Sequence, residues 1–140
     1  PVVGTKIDLD DGSFHEVDSS EKAFYTAAQG CFREYFKQAS PKLLEPIMKM
    51  EVECPEDFQG TVVGDIIRRR GIMSSNDIVD GNSIIIAEIP LAETFGYSTD
   101  LRSMTQGQGT FTMELETYRE VPSNVQTEII EAKRQEKEAK

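Results

Sequence analysis

The chain has 140 residues, of which 38% are hydrophobic, and its formal net charge is −10 at pH 7. This length and apolar content suit one ordinary domain or two small ones with a real core. No apolar run approaches the roughly 20 residues of a membrane-spanning helix, so we expect no membrane insertion and a cytoplasmic location. The acidic balance argues against nucleic-acid binding, because phosphate contacts depend on Lys and Arg.

Residues 1–44 predict a partial α/β unit made of a strand, a tip loop and a helix. Apolar and β-branched side chains alternate from Val3 to Leu9, which is typical of a strand, and Asp10 to Ser13 supplies a turn. Asp18 is the predicted N-cap of the helix, with Glu21 completing a variant of the capping box. The apolar residues of this helix recur in pairs every four positions: Ala23, Phe24, Ala27, Ala28, Cys31, Phe32, Tyr35 and Phe36.

The next segment predicts a strand followed by a helix. Met48 to Cys54 alternates between apolar and charged residues, as a half-buried strand does. Pro55 suits the first turn of a helix that ends with the basic residues before Gly71. Gly60 and Gly64, one turn apart, are expected to let this helix lie close to a sheet.

Two further strands, a helix and a last strand complete the pattern. Strands are predicted at Gly71 to Ser75 and at Ser83 to Ile89, separated by a polar turn at Asn76 to Asn82. The second helix covers about Tyr97 to Thr105, and Leu91 and Phe95 are expected to pack as its lead-in. The last strand points three apolar side chains to one side: Phe111, Met113 and Leu115.

The element order βαββαβ is typical of a ferredoxin-like split βαβ domain, with both helices on one face of the sheet. We therefore predict an α+β chain in three parts. Residues 1–44 form the partial α/β unit, 45–122 the ferredoxin-like domain and 123–140 a C-terminal helix. We expect this chain to be monomeric.

Neither metal binding nor catalysis is predicted. Cys31 and Cys54 lie in apolar-patterned segments without CxxC spacing, and His15 is the one histidine, so we interpret both cysteines as reduced core thiols. Thr5 to Asp8 matches the guanine-reading (N/T)KxD pattern of GTPases. No phosphate-binding GxxxxGK(S/T) accompanies it, so we favour a plain strand and expect no nucleotide site or catalytic residue.

Three long blocks resemble elongation factor G, the ribosomal translocation GTPase. Ala87 to Glu114, AEIPLAETFGYSTDLRSMTQGQGTFTME, is similar to the last domain of that family, domain V. Asp11 to Glu21, DGSFHEVDSSE, resembles the loop at the far end of domain IV, and Leu44 to Gly71 resembles the start of domain V. The resemblance implies a C-terminal piece: the end of domain IV, domain V and the terminal helix.

The resemblance also implies what lies outside this chain. In the full-length family, GTP hydrolysis with Mg²⁺ belongs to an N-terminal domain, so no cofactor is expected here. The earlier strands of domain IV are expected ahead of Pro1. Enzymatic activity is therefore expected of the parent GTPase, whereas these 140 residues are expected to contain no nucleotide site or catalytic residue.

The tip loop is the first candidate site. Without a family, His15 is best interpreted as a turn histidine with no role. The resemblance implies instead that this loop, with Ser13, His15 and Asp18, enters the small-subunit decoding region beside tRNA and mRNA. An imidazole suits such contacts, because it can stack on a base or donate to a phosphate without a permanent charge.

The second candidate site is on the second helix. Arg102, Ser103 and Gln106 lie about one turn apart, with Gly107 and Gly109 allowing a close backbone approach to RNA. The family's matching DLRSMTQG stretch faces the sarcin–ricin loop of large-subunit RNA, and its domain V also reaches the stalk base. Where family members often carry Arg after QG, this chain has Gln108.

The basic triplet Arg68, Arg69 and Arg70 is a third, weaker candidate for RNA contact. On sequence alone, a charge cluster that complements the negative end of a helix is the better interpretation. Acidic residues concentrate in other segments, so the overall charge does not describe these local surfaces.

The predicted function is ribosome binding during GTP-dependent translocation of tRNA and mRNA. The nearest alternative is a paralogous translational GTPase for ribosome recycling or ribosome protection. A ferredoxin-like ligand-sensing or protein-interaction module is an alternative of another class, since this fold serves many roles. A small enzyme is disfavoured, because the carboxylates follow strand faces and helix ends.

Overall fold

The computed structural model describes residues 1–139, and the chain divides into two compact units, Pro1–Pro41 and Lys42–Lys140. We call them the first and the second unit. The Leu43 carbonyl accepts a hydrogen bond from the Val121 N–H (2.9 Å), and the Leu43 N–H donates to Gln126 Oε1 (3.1 Å). Leu43 is thereby bonded to the far end of the second unit.

The first unit contains helix α1, Glu21–Phe36, followed by a single 3₁₀ turn at Lys37–Ala39. Its N-cap is Ser20, whose Oγ accepts from the Ala23 N–H at 3.1 Å. The prediction of Asp18 as the cap is therefore wrong. A turn closed by the Ser19 N–H and the His15 carbonyl (2.9 Å) occupies that position, so the helix begins later.

The predicted strand from Val3 to Leu9 is not formed. This segment is irregular and exposed, and no other strand of the first unit lies beside it. A strand needs a neighbour for its backbone donors and acceptors, which explains the difference. No residue of α1 is buried either, so its apolar stripe is uncovered. Cys31 is exposed, which makes its assignment as a core thiol wrong.

The second unit is built on a four-stranded antiparallel sheet in the order β2-β3-β1-β4. Its strands are β1 Leu44–Pro55, β2 Ile72–Val79, β3 Asn82–Pro90 and β4 Thr110–Glu120. β1 pairs with both β3 and β4, so the first strand is central and the last strand forms an edge. This arrangement confirms the ferredoxin-like α+β prediction.

Two helices cover one face of this sheet: α2, Gln59–Arg68, and α3, Tyr97–Met104. Alternate residues of β1 and β3 are buried and pack with buried residues of both helices, which places the helices on the same face. The core cluster consists of Met50, Val52, Cys54, Val62, Ile66, Ile85, Ala87, Ile89, Tyr97 and Leu101. Cys54 is fully inside it, as predicted, and burial raises the pKa of its thiol.

Two local predictions in the second unit are wrong. β2 continues through the expected polar turn and reverses at Asp80 and Gly81, both with positive φ (51° and 80°), as a two-residue hairpin turn requires. The polar residues are accommodated in the strand, where Ser83 Oγ donates to Asn76 Oδ1 at 2.8 Å. Gly60 and Gly64 do not enable close packing, since a Cβ at either position would meet nothing within 4 Å.

The last helix of the second unit is α4, Ser123–Glu138, whose Gln126 accepts the hydrogen bond from Leu43 described above. Of the helices in residues 1–139, none combines the length and the apolar character that crossing a membrane requires.

Candidate nucleic-acid interface

Helix α3 has a buried side and a solvent side. Tyr97 and Leu101 are buried in the core. The Tyr97 ring packs edge-on against the Phe111 ring, with 5.0 Å between the two ring centroids. Arg102, Ser103 and Gln106 are all exposed. The predicted trio therefore shares the accessible side of the helix and the turn that follows it.

The turn after α3 has a fixed backbone. Gln106 and Gly107 both have positive φ (53° and 81°), and the Gly107 N–H donates to the Arg102 carbonyl at 2.8 Å, the long bond of a Schellman motif. Buried Thr105 donates its hydroxyl to the Leu101 carbonyl (2.7 Å) and accepts from the Gly109 N–H (2.8 Å). The exposed side chains therefore project from a hydrogen-bonded frame.

Gly109 is required for this frame because of space. A Cβ at this position would lie 2.8 Å from Thr105 Oγ1 and 3.1 Å from Leu101 Cγ. Both neighbours are buried and have little freedom to move. The backbone at Gly109 thus packs closely against α3 itself, and the approach of RNA to Gly107 and Gly109 stays a prediction.

Arg69 joins α2 to the start of α3. Its Nε donates to Asp65 Oδ2 (2.8 Å), its Nη1 donates to the Glu93 carbonyl (2.7 Å), and its Nη2 pairs with Asp100. The guanidinium carbon also lies 5.2 Å from the centroid of the Tyr97 ring. Arg69 is 8% exposed, so its charge is compensated almost entirely within the unit.

The other two arginines of the triplet differ in their surroundings. Arg70, with a φ of 62°, donates to both carboxylate oxygens of Glu45 (3.0 Å each) and to Glu93 Oε1 (3.2 Å). Arg68 pairs with Asp65, but its side chain is 70% exposed. The geometry of Arg69 and Arg70 favours the helix-end interpretation, and an RNA contact by the triplet stays a prediction.

Asp65 and Tyr97 are perturbed by this packing. Burial raises the pKa of the Asp65 carboxyl, but hydrogen bonds from Arg68 and Arg69 outweigh it, and the net pKa is lowered. Burial raises the pKa of the Tyr97 phenol well above its usual range. The Tyr97 hydroxyl has no hydrogen-bond partner within residues 1–139, which indicates that the ring is held by packing.

The tip of the first unit presents His15 on a compact turn. The His15 N–H donates to Ser19 Oγ (2.7 Å), and His15 Nδ1 accepts from the Val17 N–H (3.3 Å). Asp18 Oδ2 lies 3.4 Å from the same Nδ1, and Ser13 is exposed in the loop just before the turn. His15 Nδ1 therefore faces both the Val17 N–H and the Asp18 carboxylate, whereas Nε2 has no partner in the described residues.

One exposed residue near these surfaces contradicts the sequence prediction. Phe95, expected to pack ahead of α3, is instead 77% exposed. The apolar pattern gave no signal for this, because Phe95 lies in a short irregular link where hydrophobic periodicity carries no information. The sequence also did not identify Glu45 and Asp100 as the acidic partners of Arg70 and Arg69, because they are distant from the arginines along the chain.

Among residues 1–139, no group of three or more His, Cys, Asp or Glu is placed to hold a metal ion.

Comparison with known proteins identifies the family. The sequence-family model for elongation factor G domain IV matches residues 1–40, and the family model for the elongation factor G C-terminus matches residues 42–129. Elongation factor G of Rhodopirellula baltica is 77% identical over 130 residues, which is 93% of this chain and 19% of that protein. A crystal structure of a protein from Thermus thermophilus superposes with a TM-score of 0.77 at 38% identity, over 89% of this chain and 19% of that one.

The chain therefore spans about a fifth of the length of the relatives that it matches. The C-terminal family model alone covers well over half of the 140 residues, and the domain IV model covers nearly all of the remainder ahead of it. On these matches, the chain belongs to the elongation factor G family, in the region that its domain IV and C-terminal models describe.

Proposed function

We propose that this chain is the ribosome-contacting part of an elongation factor G that promotes GTP-dependent translocation of tRNA and mRNA. The turn that carries His15 enters the small-subunit decoding region. The exposed side of α3, with Arg102, Ser103 and Gln106, faces the sarcin–ricin loop of large-subunit RNA. Membership of the family supports this proposal, together with the retention of both candidate surfaces in the sequence.

The observation that carries the proposal is the presentation of His15. Its backbone and Nδ1 are held by bonds to Ser19 and Val17, while the ring is exposed and Nε2 has no partner among residues 1–139. A ring held in this way presents its Nε2 edge and one flat face to whatever lies beyond the tip. These are the features that contact with a base, a phosphate or a 2′-hydroxyl needs.

The role of His15 in this proposal is positional. The chain has one histidine, and in this proposal its ring, with Asp18 beside Nδ1, contributes contacts and no chemical step. The tip acts as a wedge that occupies space behind the moving tRNA. Removing the ring should therefore affect movement and leave the chemistry of GTP hydrolysis alone.

The second surface adds affinity. Arg102 supplies a guanidinium for phosphate, and Ser103 and Gln106 supply neutral donors on the same accessible side. The net charge of −10 does not oppose this contact, because screening at physiological ionic strength limits each charge to about 8 Å.

The test is His15→Ala in a full-length elongation factor G that carries these 140 residues. We expect ribosome-stimulated GTP hydrolysis near the wild-type rate and slower tRNA movement, both measured on one ribosome preparation. Val17→Ala is the matched control, since Val17 is an exposed side chain of the same turn. In that control both rates should stay at the wild-type value.

Three other results would contradict the proposal. A parallel loss of hydrolysis and movement means that His15 serves docking, and wild-type values of both mean that it is a turn histidine without a role. Unchanged tRNA movement with slower subunit splitting would identify a recycling factor instead.

A further inference from the structure

Helix α3 depends on the rest of the second unit for its orientation. It is eight residues long, and its N-cap, Gly96, makes no side-chain cap hydrogen bond. A helix this short is not stable by itself, so tertiary contacts hold it on the sheet. Its buried side supplies apolar packing, and the buried Tyr97 hydroxyl has no hydrogen-bond partner within residues 1–139. Apolar burial is not directional, so it fixes the rotation and tilt of the helix only weakly.

The directional contacts come from Arg69, which follows helix α2. In the described part of the chain, the long-range side-chain hydrogen bond to α3 itself is the one from Arg69 Nη2 to the Asp100 carboxylate. Arg69 Nη1 also donates to the two carbonyls just ahead of the helix, those of Glu93 (2.7 Å) and Phe95 (3.3 Å). One planar guanidinium therefore contacts α3 and the segment leading into it at three points.

Arg69 is itself fixed by α2 and by the core. Its Nε donates to Asp65 Oδ2 (2.8 Å), one helical turn earlier, and its guanidinium carbon lies 5.2 Å from the centroid of the Tyr97 ring. The residue is 8% exposed, so its side chain has little room to change conformation. The start of α3 is thereby connected to α2 through one buried side chain.

We propose that Arg69 is a positioning residue for the exposed side of α3. Through Asp100 and the two carbonyls, it sets the orientation in which Arg102 and Gln106 meet RNA. This inference rests on the proposed function and gives Arg69 a part in it without contact to RNA, because its donors are used inside the unit. Orientation matters for affinity, since hydrogen bonds weaken steeply with distance and angle.

The first test is Asp100→Ala, which removes the acceptor of Arg69 on α3 and leaves a good helix former. The Asp100 side chain is 49% exposed, so the melting temperature of the 140-residue chain should fall by no more than about 5 °C. In a full-length elongation factor G with these residues, ribosome affinity measured well below that transition should weaken about 3- to 30-fold. Charge alone predicts the opposite, because removing a carboxylate beside a phosphate-binding surface strengthens binding.

Arg69→Lys acts on the other partner. It keeps a positive charge beside Asp65, but an ammonium group does not have the planar fork with which the guanidinium reaches a carboxylate and two carbonyls. Ribosome affinity should fall at least as far as for Asp100→Ala. Asp100→Glu keeps a carboxylate at this half-exposed position and should bind close to wild type. Glu128→Ala removes the same charge from an exposed position of α4 and should not weaken binding.

Non-additivity separates positioning from a general loss of structure. In the background Arg102→Ala, Gln106→Ala, the side chains that α3 presents are gone, so Asp100→Ala should have no further effect on ribosome affinity. A merely structural role predicts the same further loss in both backgrounds.

The outcomes separate this inference from the function on which it rests. If the double variant Arg102→Ala, Gln106→Ala weakens binding but Asp100→Ala or Arg69→Lys binds as tightly as wild type, the positioning role is wrong and the RNA surface stands. Additive losses, or a melting temperature lowered by far more than about 5 °C, would mark the pair as structural. If the double variant binds like wild type, the large-subunit contact fails, and the inference fails with it.

Discussion

Gly109 is the position where the candidate RNA surface depends most directly on the absence of a side chain. Gly109→Ala places a Cβ within 3.1 Å of atoms of two buried side chains, Thr105 and Leu101. We expect the second unit to lose about 1–3 kcal/mol of unfolding free energy, the usual cost of overpacking, in urea denaturation.

Gly64→Ala provides the matched control for that experiment. Gly64 is inside helix α2, and a Cβ there would meet nothing within 4 Å. The better helix propensity of alanine should stabilise the unit by up to about 1 kcal/mol. Equal effects of the two substitutions would show that the packing around Gly109 is looser than the distances indicate.

Arg69 is a residue whose removal should change the pH dependence of stability. Arg69→Ala leaves the buried Asp65 carboxylate with the largely exposed Arg68 alone, and removing one partner of such a buried group costs up to about 3–5 kcal/mol at pH 7. Arg68→Ala is the comparison and should cost less, because the Arg68 side chain is 70% exposed and water screens its charge.

The sign of the pH effect follows from the lowered pKa of Asp65 in the folded state. Its ion-pair stabilisation is present above the ordinary value of 3.8 and is lost as the pH falls through the folded pKa. The difference in unfolding free energy between wild type and Arg69→Ala should therefore shrink below about pH 4. A difference that stays constant down to about pH 2 would contradict the assigned role of Asp65.

At the scale of elements, helix α3 has a buried side that contributes to stability and an exposed side that contains the candidate binding residues. Arg102→Ala with Gln106→Ala changes only exposed side chains, so the melting temperature should stay within about 1 °C of wild type. Ribosome binding should weaken by about 1–3 kcal/mol for the pair, with a shallower dependence on salt. Arg134→Ala on α4 removes the same charge from another exposed helix and should leave binding unchanged.

A large fall in melting temperature with unaltered ribosome affinity would mark Arg102 and Gln106 as structural. Equilibrium binding measured at several salt concentrations, beside thermal unfolding of the same preparations, distinguishes the two cases.

The elements of the second unit were largely predictable from sequence. Apolar alternation in β1 is a local pattern that directly reflects burial. The hairpin between β2 and β3 was misplaced, because the polar residues Asn76 and Asp77 resemble a turn but pair in the strand. Their neighbours across the strand decide this, and a local pattern does not contain them.

Part of the candidate site was predictable, because local sequence patterns reflect burial but do not contain tertiary contacts. Exposure of Arg102 and Ser103 follows from the helical period around buried Tyr97 and Leu101. The burial of Arg69 depends on Asp100 and on carbonyls that are distant in sequence, so a basic triplet alone did not reveal it. Similarly, the irregular link that exposes Phe95 is held by Arg69, a tertiary interaction.

At the scale of the whole molecule, the two units should differ in their ability to fold alone. Residues 42–140 form a sheet with two covering helices and a buried core. Residues 1–41 contain no buried residue and no strand, so little apolar burial opposes the loss of chain entropy. Expressed separately, the former should unfold in one cooperative transition by circular dichroism, and the latter should show none.

A cooperative transition for residues 1–41 would mean that α1 and the tip loop stabilise each other more than their exposure indicates. The full 140-residue chain serves as the reference, and its main transition should match that of the second unit.

The central position of β1 has a consequence for how the protein is made. Synthesis proceeds from the N-terminus, so β1 leaves the ribosome first, yet both of its partners, β3 and β4, come later in the chain. The hairpin of β2 and β3 is local and can close early, whereas β1 cannot be flanked on both sides until Glu120 has been added. A nascent chain that stalls before β4 therefore carries a central strand with one open edge, which is a template for pairing with another polypeptide.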